Sequence, residues 1–335
     1  MDGGMGRRGF LEGALAAGAA AGGFADPPRG SQEARPGAVG PMPVGKLGRL
    51  TVSRLIAGGN ILGGYCHSRD LLFVSSLARA YLTEAKQFEM LALYEKFGIN
   101  TIALDPGRLK LIGKYRRERG GRIQTIAQVY EDKNRWENPS WEGLKPRIDR
   151  AIEEGADALY LQGSYADLLV RQGRPENLDL IGKALDYIRG RGYPAGLGSH
   201  ALEVPQACDR HGVAPDFYFK TFHHDRYWSA TPKERRKRFC VDGPRFLDHN
   251  EYHDNIFCID PEETAEYMRN KTQPWIAFKV LAGGAILPKS GLQYAFENGA
   301  DFVAMGMFDF EVMQDALVAQ EVLESVKDRP RPWRG

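Results

Sequence analysis

From residue 83 onward the chain repeats one phrase: an amphipathic stretch with apolar positions every three or four residues, a glycine, and a short apolar run. The first case is EAKQFEMLALYEKF after Thr83, a side chain suited to cap a helix, followed by Gly98 and NTIALD. IDRAIEEG with ADALYLQG, EVPQACDRHG with VAPDFYFK, and LQYAFENG with ADFVAMGM repeat it. A glycine just after a helix accepts the left-handed conformation that closes the last turn, so Gly98, Gly155, Gly212 and Gly299 mark helix ends for a steric reason. The apolar runs number eight: LIAGGN (55–60), TIALD (101–105), IQTIAQV (123–129), ALYLQG (158–163), AGLGS (195–199), FYFK (217–220), WIAFKV (275–280) and FVAMGM (302–307). Runs this continuously apolar suit parallel strands covered by helices, and a helical stretch fits between each consecutive pair, with a last one at 310–327. Asp260-Pro261-Glu262-Glu263 opens the helix before the seventh strand, with Asp as N-cap and acids against the helix dipole.

The expected fold is therefore α/β, a TIM (β/α)8 barrel over 43–327 with a long loop insertion after strand six. A doubly wound open sheet is the alternative; it calls for a GxGxxG turn between a strand and a helix, which is not found. Chemistry in such a barrel gathers where the strands end. That makes Asn60, Asp105, Gln128, Gln162, Ser199 with His200, Lys220, Lys279 and Met307 after Gly306 the informative positions.

Composition narrows the partners. With 45 Lys+Arg against 43 Asp+Glu the chain lacks the basic excess of a nucleic-acid binder, and the one basic run, KERRKRF (Lys233 to Phe239), reads as a solvated face or an anion patch. The first 25 residues stand apart. Arg7 and Arg8 precede Phe10 and Leu11, then GALAAGAAAGGFA runs to Ala25, too short and too rich in glycine and alanine to span a bilayer. This resembles a twin-arginine (Tat) signal, RRxFL, which implies export of the folded protein by the Tat machinery to the periplasm or beyond; a plain Ala/Gly tail is the other reading. Residues 26–42 read as a linker and 328–335 as a C-terminal tail. Cys66, Cys208, Cys240 and Cys258 have no CxxC spacing, so they form no zinc-ribbon or redox signature.

Several strand ends resemble the aldo/keto reductase superfamily. LGRLTVSRLIAGGN resembles the opening of those enzymes, where a small hairpin precedes the first barrel strand. FGINTIALD is similar to their LGINFFDTA, ALYLQG to LYLIH, GLGSHA to GVSNH, and IAFKVLAGGAI to IAMKPLAGG, so the resemblance spans 42–327. It implies a tetrad of Asp, Tyr, Lys and His in which the phenol protonates a carbonyl while NADPH supplies hydride. An unperturbed tyrosine, with a pKa near ~10, is a poor acid at neutral pH and needs that cation and imidazole beside it. Asp105 matches the Asp, but the Tyr position is Lys110, the Lys position is Gln128 and the His position is Gln162. Amides orient a ligand without supplying a proton or a fixed charge. Lys279 with LAGG matches the family's pyrophosphate loop and Gly306-Met307 its phosphate turn, whereas FDFEVMQDA lacks the arginine that grips the NADP 2′-phosphate. Ordinary carbonyl reduction is not expected, and NADP less so than a metal.

Six of the seven histidines lie between His200 and His253. The insertion from Thr221 to Asp260, about 40 residues, is long for a plain connection and is expected to cover the barrel mouth. Its Tyr227 and Trp228 suit the C–H faces of a sugar. HHDRYW and HNEYH offer His223, His224 and His253 as ligands for a divalent metal, Zn or Mn, or alternatively as packing groups around a loop. The sequence thus points to an exported barrel enzyme on a sugar or polyol, working by lyase, hydrolase or isomerase chemistry. Asp105, Lys220, Lys279 and His200 are its acid and base candidates, and Asn60, Gln128, Gln162, Tyr227 and Trp228 hold the ligand. An NAD(P)-dependent oxidoreductase with an altered acid and a non-catalytic carbohydrate-binding barrel stay open beside it.

Overall fold

The computed structural model describes residues 41–68, 71, 73–236, 257–326 and 329–335. The chain enters through an antiparallel hairpin, β1 (Val44–Leu47) and β2 (Leu50–Ser53), with Gly48 in its turn at φ 57°. There follow β3 (Leu55–Gly58), α1 (Phe73–Tyr81), α2 (Glu84–Lys96), β4 (Thr101–Leu104), α3 (Leu109–Arg119), β5 (Gln124–Val129), α4 (Trp141–Glu153) and β6 (Ala158–Leu161). Next come α5 (Gly163–Arg171), α6 (Pro175–Gly190), β7 (Ala195–Ser199), α7 (Glu203–Arg210) and β8 (Phe217–Thr221). The chain ends with α8 (Pro261–Arg269), β9 (Trp275–Phe278), α9 (Pro288–Glu297), β10 (Phe302–Met305) and α10 (Val312–Ser325). Strands β3 to β10 are parallel neighbours in chain order, and β10 pairs with β3 to close the barrel. The eight expected strands are the eight observed, and the fold is the expected TIM barrel.

Local chemistry sets the helix ends. The Thr83 side chain accepts from Lys86 N at 3.3 Å, and the four glycines assigned to helix ends all have positive φ, from 75° at Gly212 to 106° at Gly299. Asp260 occupies the N-cap of α8 but makes no side-chain capping bond.

Alternation along each strand sorts its side chains into two cores. Ile56, Ala103, Ile126, Ala158, Phe217, Phe219, Ile276, Phe302 and Ala304 fill the barrel, where Leu47, Leu50 and Val52 of the hairpin join them. Leu55, Ile102, Ala127, Leu159, Leu197, Tyr218, Ala277 and Val303 face the helices. The hairpin therefore closes one end, and the other is left for the site.

The last residues belong to the barrel as well. Arg331 is fully buried and donates to Asp301, also fully buried; Asp301 further accepts from Trp275 N and Arg334 N at 2.9 and 2.7 Å. Trp333 lies between the guanidinium groups of Arg329 and Arg54, 3.7 and 4.6 Å from its ring.

Candidate active site at the barrel mouth

Strand parity decides which strand-end residues meet. Two residues beyond an inward one, the next side chain again faces inward: Asp105 after Ala103, Gln128 and then Tyr130 after Ile126, Tyr160 and then Gln162 after Ala158, and His200 on the parity of Gly196 and Gly198. The side chains form two poles.

At the first pole, Asp105 Oδ2 accepts from Tyr130 Oη at 2.7 Å and from Gln128 Nε2 at 3.0 Å. Its Oδ1 accepts from Gly107 N at 2.9 Å, which pins the carboxylate. Tyr160 Oη reaches Gln128 Oε1 at 3.4 Å. Burial, and then the hydrogen bond to Asp105, push the Tyr130 phenol above its ordinary range, and burial followed by the charge of Asp105 does the same to Tyr160.

At the second pole, His200 Nδ1 lies 2.8 Å from Oδ2 of Asp167, a buried carboxylate on α5. Asp167 also accepts from the backbone N–H groups of His200 (3.1 and 3.2 Å) and Ala201 (3.1 Å). An acceptor-only carboxylate requires the proton on Nδ1, so the lone pair of the ring is on Nε2. Burial lowers the His200 pKa; Asp167 opposes this and Lys279 and Lys220 add to it. A neutral imidazole with a fixed tautomer is the result. Gly163 makes room for the ring, since a Cβ there would sit 2.9 Å from His200 Cε1.

Between the poles runs an aromatic floor. Tyr160 stacks on Phe219 at 4.4 Å, Phe219 meets Phe278 at 4.8 Å, and Phe278 meets the His200 ring at 5.4 Å. The aromatics of the insertion, Tyr227 and Trp228, are not part of this floor. There Tyr227 packs edge-on against His223 at 5.9 Å, and Trp228 is 83% exposed.

Three of the expected roles fall on side chains that are engaged within the protein. Lys220 has the parity of Tyr218, which faces the helices, and it is 1% exposed; its Nζ donates to His200 O (2.6 Å), Thr221 O (3.0 Å) and Thr221 Oγ1 (3.0 Å), so it braces His200 from behind. Gln162 caps α5, its Oε1 accepting from Tyr165 N at 3.0 Å, which ties one lone pair of the amide to the helix. His223 and His224 have no lone pair left for a metal. His223 Nδ1 faces His224 O (2.8 Å) while its Nε2 accepts from Phe257 N and Cys258 N (3.3 and 3.1 Å). His224 Nδ1 accepts from Arg226 N (3.2 Å) and its Nε2 meets Ser290 Oγ at 3.0 Å. Among the described residues no group of three or more His, Cys, Asp or Glu side chains is placed to hold a metal ion. His253, like residues 1–40 with the expected export signal and most of the expected linker, lies outside the described residues.

Of the remaining candidates, Asn60 is exposed in the turn after β3, and Lys279 ends β9 in a left-handed conformation (φ 57°) with Nζ 3.8 Å from the centre of the Phe257 ring. Lys110, at the family's tyrosine position, points outward and lies 3.7 Å from Glu154. Tyr130, Tyr160, Asp167, Phe257 and Phe278 were not singled out from the sequence. Parity would have found the first two; nothing in the helical pattern of GSYADLLVR distinguishes Asp167 from a surface acid.

Lys279 and the successive positive φ values at Ala282, Gly283 and Gly284 form a turn whose amides suit an anion. After β10 the chain instead presents acids: Asp309, bonded to Tyr81 Oη and Lys86 Nζ, then Glu311 and Asp315, the last raised to about 6 by burial and by Glu311. The stretch 308–316 carries no arginine to grip a 2′-phosphate, and its Asp309 is paired with Lys86.

No family model matches the chain, and no curated protein does. Solved structures do. The chain is similar to a provisionally assigned aldo-keto reductase from Pseudomonas aeruginosa, with a TM-score of 0.51 and 17% identity over 84% of this chain and 94% of that one. It is also similar to Gox0644 without ligand (TM-score 0.53, 10% identity, 88% of this chain and 99% of that one). A mutant of Gox0644 solved in complex with NADPH matches with a TM-score of 0.52 and 10% identity over 86% of this chain and 90% of that one. At such identities the likeness is one of fold: an eight-stranded parallel barrel of the kind aldo-keto reductases have. No helix among the described residues is long and apolar enough to cross a membrane.

Proposed function

We propose that the chain is an acid–base enzyme acting on a sugar or related polyol by lyase, hydrolase or isomerase chemistry, and that it has lost ordinary NADPH-dependent carbonyl reduction. One observation carries this reading: a neutral imidazole at the barrel mouth whose Nδ1 is held by buried Asp167, so that its lone pair is on Nε2. A positioned histidine of that kind takes a proton from substrate and returns it at a later step. The Asp105 pole holds hydroxyls: Gln128 and Tyr130 fix the carboxylate, and its remaining lone pairs accept from a ligand. The floor of Tyr160, Phe219 and Phe278 supplies apolar faces for sugar C–H groups.

The tuning of the phenol supports the loss of reduction. Tyr130 does sit at Asp105, which favours a second reading, an oxidoreductase with a relocated acid. Its pKa, however, is raised by burial and by a carboxylate, opposite to what a proton donor to a carbonyl needs. Export through the Tat route belongs to the proposal too and rests on the RRGFL motif (Arg7 to Leu11).

The test is turnover by the purified full chain on a panel of sugars, polyols and sugar acids, with product detection by NMR and parallel runs with NADH and NADPH. Cofactor-independent product that disappears in His200→Asn supports the proposal. Oxidation or reduction coupled to absorbance near 340 nm supports the second reading. Ligand binding without turnover points to a binding barrel.

A further inference from the structure

The outer face of α6 carries chemistry that the barrel mouth does not use. Its sequence, PENLDLIGKALDYIRG, buries Ile181, Ala184, Leu185 and Ile188, and the same helical spacing sets Asp179, Lys183, Asp186 and Tyr187 on a second stripe. With Trp141, the first residue of α4, and His211, at the end of α7, this stripe lines a groove of 580 Å³. A groove of that volume holds a small molecule rather than a single ion. Trp141 opens the helix that follows β5, so the groove begins on the side of the barrel where the strands end.

Its aromatic wall is two rings meeting edge to face: Trp141 and Tyr187 have centroids 5.2 Å apart, and both are half-buried. Lys183 Nζ lies 4.6 Å from the centre of the Trp141 ring. Asp179 Oδ1 meets His211 Nε2 at 2.8 Å, and Asp186 Oδ1 accepts from Arg189 Nη1 at 2.9 Å. Among the described residues, neither Lys183 Nζ nor the Trp141 indole N–H has an acceptor. Lys183 and Arg189 balance Asp179 and Asp186, so the groove favours neither sign of ion. It suits a neutral molecule with an apolar face and a rim of hydroxyls. The rings take the face, while the ammonium, the indole N–H and the remaining carboxylate lone pairs supply donors and acceptors for the hydroxyls. We propose that this groove is a second carbohydrate site, binding a neutral saccharide on the helix ring apart from the mouth. It stands independently of the chemistry assigned to His200.

The experiment is NMR titration of the ¹⁵N-labelled full chain with maltohexaose, cellohexaose, xylohexaose and chitohexaose, reading the indole N–H of Trp141, which Trp141→Phe assigns. At least one sugar is expected to shift that signal saturably, to the same extent in His200→Asn and without dependence on salt. Its affinity should fall at least tenfold in the double variant Lys183→Ala/Asp179→Ala; both side chains are exposed, so their loss leaves the core intact. No shift up to the solubility of all four sugars, or a shift that the double variant leaves undiminished, overturns the inference. A response confined to the Trp228 indole, in the insertion after β8, overturns it while the reading of the mouth stands. A stronger response to sulfate or spermidine than to any sugar overturns the neutral ligand. A saturable Trp141 shift with no turnover of the sugar panel upholds this site and counts against the acid–base reading alone.

Discussion

Replacing Asp167 with asparagine removes one charge and one acceptor while keeping the volume. The carboxylate takes the Nδ1 proton of His200 and the backbone N–H groups of His200 and Ala201. Asparagine can still serve the backbone through its single oxygen, which sets its NH2 against Nδ1. The ring then carries its proton on Nε2, and the lone pair that faces substrate is lost. Losing one hydrogen bond to a charged group costs about 1.5–3 kcal/mol, so the urea unfolding free energy should fall by about 2 kcal/mol with an unchanged slope. Losing a positioned base costs roughly 10²–10⁴-fold in kcat, so kcat should fall at least about 100-fold with KM little altered. Because both changes act on one imidazole, the double variant Asp167→Asn/His200→Asn should be no slower than His200→Asn alone. The assays are steady-state kinetics on the substrate found in the panel, urea denaturation, and ¹⁵N NMR of the imidazole. A variant that keeps more than about a third of kcat, or whose His200 still carries its proton on Nδ1, refutes the assignment of Asp167 as a positioning residue.

His223 is buried and neutral, its pKa lowered to about 4, chiefly by burial. Below the ordinary value of 6.5 the unfolded chain binds the proton that the folded chain refuses, so stability is full above pH 6.5 and is lost as pH falls toward 4. The shift corresponds to roughly 3 kcal/mol, and His223→Asn should flatten the pH dependence of the unfolding free energy in that window; an unchanged slope counts against it. Arg331→Ala strips the buried Asp301 of its closest cation and should cost about 3–5 kcal/mol in urea denaturation, so a loss under about 1 kcal/mol would remove the C-terminal segment from the stabilising core. Gln162→His places after β6 the residue that aldo/keto reductases carry there but breaks the cap on Tyr165 N. It should give no NADPH-dependent reduction, because Lys110 still points outward and Tyr130 is bonded to Asp105; measurable NADPH oxidation in that single variant contradicts the reading of the phenol.

The fold was legible because each helix–glycine–strand unit satisfies a local rule. Gly98, Gly155, Gly212 and Gly299 need a conformation that other residues resist, and each sits at a positive φ. The eight apolar runs reflect strands covered on both faces. The site was legible only in part, since a strand-end list ignores parity. FYFKT alternates, and placing Phe217 and Phe219 inward sends Lys220 outward, a deduction the sequence permitted. Counting from the family tetrad found Asp105 but looked for the phenol at Lys110, whereas β5 carries Tyr130 to the same carboxylate. Asp167 and Phe257 were beyond sequence reasoning. Asp167 is buried because α5 lies against β7, and Phe257 matters through its position beside Lys279 and His200. The histidine cluster misled for a related reason: adjacent histidines look like ligands, yet the lone pairs of His223 and His224 are used by backbone amides.

The central claim is a barrel mouth run by a neutral His200 without nicotinamide. Its most direct test is the pH profile of kcat/KM for cofactor-free turnover of the panel, with His200→Asn beside it. The account predicts activity that is level through neutral pH, falls only below 6.5 as the ring takes a proton, and is abolished in His200→Asn. Turnover that requires NADH or NADPH, or that persists unchanged without His200, contradicts it.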